Sequence, residues 1–212
     1  MKSSRSLSKP KFHIGIDEVG RGPIAGPVAV GVFCISIKNL PRIRKIFRGV
    51  KESKQLSEQQ REGWFDIIQK TEKIGLVDFA VTFQSEKVID TKGLSFAIKN
   101  ALRTSLLKVF GKSKVKSDQV QVLLDGGLKA PAEFTNQKTI IKGDGKEFVI
   151  ALASICAKVL RDRKMNLLSK KYSEYGFEKH KGYGTHAHYE AIKKNGLLSI
   201  HRRSFLKNLR LK

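Results

Sequence analysis

The sequence predicts one α/β domain whose sheet has mixed strand connections. Strand-like segments, alternating or uniformly apolar, are interleaved with segments of helical periodicity in the order β, β, helix, β, helix, β, β, helix. A length of 212 residues suits one large domain or two small ones, and neither an internal repeat nor an interior linker divides the chain. With 40% apolar residues, a hydrophobic core is available, so disorder of the whole chain is excluded.

The first half of the chain predicts two strands and a helix. Apolar residues alternate over 12–17, which is typical of a strand with one apolar face. The Gly/Pro-rich segment 20–27 predicts a turn, and the uncharged, β-branched segment 28–37 predicts a buried strand. A basic connection over 38–54 leads to a capping-box pattern, Ser-Glu-Gln-Gln, which opens a helix over about 57–70.

The second half predicts three strands and two helices. Clean alternation over 77–83 predicts a strand, and helical spacing of small and apolar residues predicts a helix over 94–110. Short apolar segments at 120–125 and 139–141 predict two further strands. A long helix with an alanine-rich face is expected over about 147–168.

The two ends of the chain are basic. Residues 1–11 combine basic and serine residues without an apolar run, which favours a disordered basic tail over a secretory signal. Residues 12–212 are assigned to a single domain, with a basic C-terminal extension over about 165–212 that contains short helices at most. From residue 158 onward there are 15 basic and four acidic residues, which indicates a salt-dependent grip on a nucleic-acid backbone.

Charge is the strongest global signal in the composition. The 42 lysines and arginines exceed the 19 acidic residues, for a formal net charge of +23. This balance favours a polyanionic partner, nucleic acid before an anionic membrane, over a merely solubilising surface. No apolar run is long enough to span a bilayer. Cys34 and Cys156 lie in apolar runs and are expected to be buried free thiols of a cytoplasmic protein.

Acidic residues at the ends of predicted strands stand out in so basic a chain. Asp17 and Glu18 end the first strand, Asp125 ends another, and Asp144 lies between the last strand and the long helix. Four carboxylates that meet at one sheet edge repel one another unless a cation is present. Oxygen ligands of this kind suit Mg²⁺ or Mn²⁺. The pattern therefore predicts metal-assisted phosphoryl chemistry.

Simpler interpretations of these residues stay open at this point. Aspartate and glycine at strand ends are ordinary turn residues, which is the favoured interpretation for Asp125 or Asp144 taken alone. The Gly20–Gly26 segment is a poor dinucleotide-binding fingerprint, because its third glycine is misplaced, Pro23 intrudes and a strand follows where that motif needs a helix.

Several stretches, in order along the chain, resemble the motifs of the ribonuclease HII family, the type 2 ribonucleases H. The opening motif is Gly-Ile-Asp-Glu-Val-Gly-Arg-Gly-Pro at residues 15–23. The similarity continues from about His13 to Phe205. The further matching segments are 25–28, 53–57, 124–126, 141–144, 153–162, 175–177, 180–183 and 201–205.

The resemblance implies a ribonuclease H-like fold, in which helices flank a mixed central sheet and a basic helical extension follows. It also implies an endonuclease that uses two Mn²⁺ or Mg²⁺ ions and acts as a monomer, without a membrane partner. Its substrates would be RNA–DNA hybrids and duplex DNA with single embedded ribonucleotides. The latter would be nicked on the 5′ side, for ribonucleotide excision repair, leaving 3′-hydroxyl and 5′-phosphate ends.

The resemblance also assigns individual residues. Catalysis and metal binding fall to Asp17, Glu18, Asp125 and Asp144. Substrate binding falls to Gly20, Arg21, Gly22, Lys54 and Tyr183.

Elementary chemistry agrees with the substrate-binding assignments. Backbone groups of a glycine loop can reach a 2′-hydroxyl because no Cβ intervenes, and the Arg21 fork suits a phosphate. The flat face of Tyr183 would accept a deoxyribose, whereas a 2′-hydroxyl would crowd it. For Arg21, the flanking glycines favour this phosphate-binding role over that of a surface or structural arginine. For Tyr183, ordinary packing would be favoured without the resemblance.

Four histidines in the basic C-terminal part have no role in this interpretation. For them, phosphate contacts or surface positions are favoured over a metal site. They are His180, His186, His188 and His201.

Two other classes of function are compatible with the charge. One is a catalytically idle nucleic-acid-binding protein on the same fold, against which the intact acids argue, since a binder gains by losing negative charge that faces phosphates. The other is a ribosomal or RNA-packaging protein. Metal-dependent cleavage of the nucleic acid is expected of the nuclease and of neither alternative, so it distinguishes them.

Overall fold

The computed structural model describes residues 9–50, 53–112 and 116–207. The described strands are β1 Phe12–Val19, β2 Val28–Ser36, β3 Val77–Gln84, β4 Val120–Asp125 and β5 Gln137–Ile140. The described α-helices are α1 Leu40–Ile46, α2 Glu58–Lys73, α3 Glu86–Lys92, α4 Leu94–Lys112, α5 Phe148–Lys171, α6 Phe177–His180 and α7 His186–Asn195. Most of the predicted tail, residues 1–8, lies outside the described part.

The strands form one mixed sheet in the order β3-β2-β1-β4-β5. Strand β2 runs antiparallel to both β1 and β3, whereas β4 is parallel to β1 and to β5. All five predicted strands and all three predicted helices are confirmed. The capping box of α2 has both of its bonds, since Ser57 Oγ accepts from the Gln60 amide and Gln60 Oε1 accepts from the Ser57 amide.

Two short helices were missed from the sequence. The basic connection over 38–54 contains α1, and α3 follows β3 directly. Each is only seven residues long, so neither presents enough turns for an apolar period to be recognised. Helix α3 has a readable cap, because Ser85 Oγ accepts from the Val88 amide.

Apolar residues fill both faces of the sheet. Side chains that alternate along the strands point to opposite faces, so Ile14 and Val32 pack with α3 and α4, whereas Phe33 and Ile35 pack with α1, α2 and α5. Cys34 and Cys156 are buried free thiols, as predicted, and burial raises the pKa of Cys34 to about 12.

Helix α5 lies unusually close to the middle of the sheet. A Cβ built on Gly31 would come within 2.4 Å of the Ala153 carbonyl oxygen, so only glycine allows this approach. Gly31 is the register partner of Asp17 on the neighbouring strand. The close packing therefore brings the helix face that includes Ser154 beside Asp17.

The C-terminal part adds a third apolar cluster, which contains Met165, Phe177 and Ile192. Ile24 and Ala25 of the Gly/Pro-rich turn belong to the same cluster, so this turn packs against the C-terminal helices. Within the described ranges, no helix is both long and apolar enough to cross a bilayer.

The expectation that the C-terminal histidines lie on the surface or contact phosphates is wrong for two of them. His188 and His201 are buried, and their Nε2 atoms are 3.1 Å apart. Packing with Tyr175 and Phe177 explains the burial. His186, by contrast, has a side chain that is 92% exposed.

Acidification is expected to destabilise the fold through the buried histidine pair. Burial lowers the pKa of His188 and His201 to about 4, against about 6.5 in an unfolded chain. Neighbouring His180 and Arg203 also disfavour their charged forms. The unfolded state therefore binds more protons between about pH 6.5 and pH 4, and the stability that the pair contributes above this interval is lost as the pH falls through it.

Wild type has to be compared with a variant, because Asp17 gives stability the opposite pH dependence. Its pKa is raised to about 8 in the folded chain, so its contribution to stability grows as the pH falls. Urea unfolding of wild type and of His201→Asn across this interval should give pH slopes that differ by up to about 1.4 kcal/mol per pH unit. Parallel slopes would show that the pair does not titrate as its burial requires.

Candidate active site

Three aspartates converge at one edge of the sheet. Asp17 lies near the end of β1, Asp125 ends the parallel strand β4, and Asp144 lies in the 3₁₀ turn that follows β5. Because parallel strands end at the same edge, their acidic residues meet there. One carboxylate oxygen from each lies within 4.8 Å of the other two.

Hydrogen bonds from backbone amides hold each carboxylate in place. The Gly143 amide donates to Asp125 Oδ1 at 2.6 Å, and the Gly145 amide donates to Asp144 Oδ1 at 3.1 Å. Asp17 Oδ1 accepts from the Glu18 amide at 2.8 Å. These bonds use backbone donors, so the three carboxylates are aimed by the strand ends and the turn themselves.

Two serines support the cluster from the helix side. The Ser154 hydroxyl donates to the Asp17 carboxyl group. Its oxygen is 2.8 Å from Ser53 Oγ, so Ser53 is placed to donate to it. Arg61 holds the 3₁₀ turn that contains Ser53, since one guanidinium nitrogen donates to the Ser53 carbonyl at 3.1 Å and to the Leu56 carbonyl at 2.5 Å.

The electrostatics of the cluster favour a bound cation. Burial raises the pKa of Asp17 to about 8, and the charges of Glu18, Asp125 and Asp144 add to the rise. Burial likewise raises the pKa of Glu18. The second carboxylate oxygen of Glu18, Oε2, is buried and has no hydrogen-bond partner among the described residues. Carboxylates that repel one another, beside a Glu18 oxygen that lacks a partner, fit a hard divalent ion such as Mg²⁺ or Mn²⁺.

Glu18 is not part of the three-residue cluster. Alternation predicts a strand over 12–17 with Asp17 and Glu18 at its end, but β1 continues to Val19. Neighbouring side chains on a strand point to opposite faces, and Glu18 Oε1 instead accepts from Arg21 at 2.8 Å. Glu18 still lines the same cleft as Asp17 and Asp125.

The cleft has a volume of about 280 Å³ and combines the acids with the other predicted residues. Its lining includes Asp17, Glu18, Asp125, Gly20, Arg21, Gly22, Lys54 and Tyr183. Asp144 reaches this set through Lys54, whose Nζ lies 3.2 Å from Asp144 Oδ2. The Lys54 side chain is 75% exposed.

Two buried arginines, Arg202 and Arg161, lie against the Gly20–Gly22 loop. Arg202 is fully buried, and it donates to the carbonyls of Gly20 at 2.7 Å, Arg21 at 2.9 Å and Gly26 at 2.9 Å. Gly20 has a φ of +90°, and a Cβ there would come within 2.2 Å of the second arginine, Arg161. Only glycine therefore fits at this position.

Tyr183 lies beside this loop and lines the same cleft. A Cβ built on Gly22 would be 3.6 Å from the Tyr183 ring, so the ring lies against the loop at ordinary contact distance. Tyr183 is 43% exposed. Its face is accessible to a molecule in the cleft.

Several lining or supporting residues were missed from the sequence. Lys158 lines the cleft and pairs with Asp162 at 2.8 Å. It follows Ser154 by four residues on α5, so helical periodicity could have placed both on one face. Arg161 and Arg202 lie in segments that resemble the family, 153–162 and 201–205, but their charge alone does not distinguish them from the surface cations of this chain.

Divalent cations are expected to raise the melting temperature. They relieve the repulsion among the three aspartates and bind the folded chain only, so the stabilisation grows with concentration above the dissociation constant. At one hundred times that constant, about 2.7 kcal/mol corresponds to a rise of roughly 5–11 °C. Thermal melts with Mg²⁺, Mn²⁺ or chelator measure it. A rise that Asp125→Asn fails to reduce would place the cation elsewhere.

Comparison with known proteins gives a consistent result. The sequence model of the family described as Ribonuclease HII matches residues 14–208. A curated protein, the Ribonuclease HII of Caldicellulosiruptor bescii, is 41% identical over 199 residues, which cover 94% of this chain and 88% of the relative.

Solved structures agree with the sequence matches. The ribonuclease H2 of Pyrococcus horikoshii OT3 superimposes with a TM-score of 0.67 at 31% identity, covering 91% of this chain and 93% of that one. The RNase HII of Archaeoglobus fulgidus, solved in complex with PCNA, gives a TM-score of 0.68 at 27% identity, covering 94% of this chain and 97% of its own.

Proposed function

Because this chain belongs to the ribonuclease HII family, and is therefore a ribonuclease H endonuclease for RNA–DNA hybrids, we propose that it also nicks duplex DNA at single ribonucleotides. The cut falls on the 5′ side of the ribonucleotide and leaves 3′-hydroxyl and 5′-phosphate ends. Ribonucleotide excision repair begins with such a cut. One observation carries the proposal: Asp17 and Asp125 line a single cleft with the Gly20–Gly22 loop and Tyr183, and an Asp144 oxygen lies within 4.8 Å of both aspartates.

Asp17, Asp125 and Asp144 are the proposed ligands of two divalent cations, Mg²⁺ or Mn²⁺, with Glu18 beside them. When bound, the cations would lower the pKa of the attacking water and neutralise the charge that develops on the scissile phosphate. The chain itself supplies the fixed carboxylates, through bonds such as Gly143 to Asp125. No side chain is needed as a nucleophile, so Ser154 is a support for Asp17 rather than a catalytic residue.

The Gly20–Gly22 loop is the proposed reader of the ribose. A 2′-hydroxyl both donates and accepts hydrogen bonds, and backbone groups of a loop without Cβ atoms at two of three positions can approach it closely. Arg21, whose side chain is 55% exposed, is placed at the cleft to bind a phosphate with its fork.

Tyr183 is the proposed reader of the next sugar on the 3′ side. Its exposed ring offers a flat surface on which a deoxyribose fits, whereas a 2′-hydroxyl would crowd it. Lys54 is the proposed phosphate contact near Asp144, since its exposed ammonium group already lies 3.2 Å from that carboxylate. The basic C-terminal extension would hold the duplex backbone in a salt-dependent way.

We also propose a domain organisation, an oligomeric state and a location for this protein. Residues 12–212 act as one catalytic unit, the protein works as a monomer, and it is cytoplasmic, which agrees with its buried free thiols.

A cleavage assay with matched substrates tests the proposal. Wild-type protein is incubated with three end-labelled duplexes of one sequence: all DNA, DNA with one ribonucleotide, and a full RNA–DNA hybrid. Each reaction contains Mg²⁺, Mn²⁺ or chelator. The proposal predicts metal-dependent cutting of both ribose-containing duplexes and none of plain DNA. Cutting of the hybrid alone would contradict the roles given to Gly20–Gly22 and Tyr183, and salt-sensitive binding without cutting would favour the idle binder.

A further inference from the structure

The histidine cluster, made of His180, His188 and His201, lies directly behind the loop that presents Tyr183. We call residues 181–183 the Tyr183 loop. Its outer side faces the cleft through the Tyr183 ring, and its inner side contacts the cluster. The cluster is packed tightly: the His180 and His188 rings stack with centroids 4.3 Å apart, and those of His188 and His201 are 5.2 Å apart.

A continuous chain of hydrogen bonds runs through the cluster to the Tyr183 backbone. The Leu198 amide donates to His201 Nδ1 at 2.8 Å, so that nitrogen carries no proton and His201 Nε2 does. His201 Nε2–H then donates to His188 Nε2 at 3.1 Å. This leaves the proton of His188 on Nδ1, which donates to the Tyr183 carbonyl at 2.9 Å. Each of the two histidines in this series of hydrogen bonds is therefore fixed as one tautomer.

His180 holds the same loop from the other end. The Gly182 amide donates to His180 Nδ1 at 3.2 Å, and the opposite nitrogen donates to the Tyr175 carbonyl at 2.8 Å. The ring of His180 is thereby fixed as one tautomer. Two histidines thus hold the backbone on either side of the Gly182–Tyr183 peptide bond.

The Tyr183 loop needs such support because its backbone is strained. Lys181 has a φ of 50° although it is not glycine, and Gly182 has a φ of 87°. The Gly182 carbonyl accepts from the amides of Ile24 at 2.9 Å and Ala25 at 3.2 Å. The loop is therefore tied on one side to the Gly/Pro-rich turn, which begins at the proposed ribose reader, and on the other to the histidines.

We propose that His188, together with His201 and His180, is a positioning residue that sets the preference of the cleft for a deoxyribose on the 3′ side of the cut. The inference rests on the proposed function. The histidines do not touch substrate; they act through the Tyr183 carbonyl and the Gly182 amide, which determine where the Tyr183 ring lies. Loosening them lets the ring move away from the sugar. Cutting at a single ribonucleotide, which needs that ring, then falls more than cutting within a hybrid.

A metal site in the cluster is not supported. Each of the six ring nitrogens has a hydrogen-bond partner in the described chain, and the His188 and His201 rings are buried. No nitrogen points to a common vacant centre, so the cluster has the bonding pattern of a scaffold.

Two substitutions at His188 separate positioning from general stability. In His188→Asn the amide nitrogen stands where Nδ1 was and can still donate to Tyr183, but the bond to His201 is lost. In His188→Gln the amide group stands where Nε2 was and can still accept from His201, but the bond to Tyr183 is lost. Each variant loses one of the two hydrogen bonds that the His188 ring makes, so the thermal stabilities of the two variants should be alike.

The readout is the ratio of kcat/KM on the single-ribonucleotide duplex to kcat/KM on the full hybrid. Loss of one hydrogen bond is expected to lower this ratio about fivefold in His188→Gln. His188→Asn should keep it within about twofold of wild type. The matched control is His186→Ala, an exposed histidine on the same helix, which should leave the ratio unchanged.

A double-mutant cycle tests whether the effect passes through Tyr183. In a Tyr183→Ala background, His188→Gln should lower the ratio no further. Should the His188 variants fail to fold, His180→Gln provides the same test, because it keeps the bond to Tyr175 and loses the acceptor for Gly182.

The outcomes distinguish the inference from the function on which it rests. Equal ratios in wild type, His188→Gln and His188→Asn, or an additive loss in the Tyr183→Ala background, would overturn the positioning role. A wild-type protein that does not nick the single-ribonucleotide duplex at all would instead contradict the proposed function.

Discussion

Asp125→Asn is expected to abolish cleavage while duplex binding stays measurable. The substitution removes one negative oxygen from the cluster in which Asp17, Asp125 and Asp144 lie within 4.8 Å of one another. An asparagine can keep the 2.6 Å bond from the Gly143 amide, so the turn need not move. With a weakened cation site, the rate should fall on the order of a thousandfold or more, because several kcal/mol of transition-state stabilisation are lost.

Single-turnover cleavage and a binding titration measure the two effects separately. The matched control is Asp66→Asn, which removes the same charge from an exposed position on α2 and should leave the rate within about twofold of wild type. Full activity in Asp125→Asn would remove this residue from the site.

Arg202→Met is expected to give the largest loss of stability of any single change outside the apolar core. The fully buried guanidinium group satisfies three carbonyls, those of Gly20, Arg21 and Gly26, at 2.7–2.9 Å. Methionine fills much of the volume but leaves these acceptors without donors. A hydrogen bond to a charged group contributes about 1.5–3 kcal/mol. The free energy of unfolding should therefore fall by roughly 3 kcal/mol or more.

The same substitution should also release the Gly20–Gly22 loop, so cleavage at single ribonucleotides should be lost even at temperatures where the variant is folded. Denaturant unfolding and cleavage at low temperature measure the two effects. Arg203→Met is the stability control, because it changes the adjacent and exposed arginine. If both variants unfolded at the same denaturant concentration, the bonds of Arg202 would contribute nothing to the fold.

Much of the fold was predictable because its strands follow simple patterns. Segments such as 28–37 are uniformly apolar, and the capping box at Ser57 marks a helix start that the structure reproduces bond for bond. Helices α1 and α3 were missed because seven residues give too little periodicity to recognise. The C-terminal extension looked like a charged surface, since its apolar cluster is spread over several short elements.

Part of the candidate site was also predictable, for a topological reason. Asp17 and Asp125 lie near or at the ends of β1 and β4, and Asp144 follows β5. Because these strands are parallel, a strand-end argument places the three residues together. The position of Glu18 outside the three-residue cluster could not be predicted, because it depends on where β1 ends and alternation alone does not reveal that.

The supporting residues were hidden in the sequence because their role depends on burial. Arg202 is one cation among 42 lysines and arginines. The resemblance over 201–205 marks its segment, but its role is visible only from its burial against the Gly20–Gly22 loop. His188 and His201 are 13 residues apart, and a hydrogen bond between their rings becomes visible only once α7 has folded against the last turn.

The position and chemistry of the cut on a duplex with one ribonucleotide show whether the acidic cluster directs metal-dependent hydrolysis at that ribonucleotide. With labels on both ends of the strand and Mg²⁺ present, fragments are sized to single-nucleotide resolution and their termini are examined. We expect a single cut on the 5′ side of the ribonucleotide, with 3′-hydroxyl and 5′-phosphate ends, that chelator abolishes. A cut on the 3′ side with a cyclic phosphate, or one that survives chelator, would mean that the 2′-hydroxyl itself attacks and that the acidic cluster is not the catalytic centre.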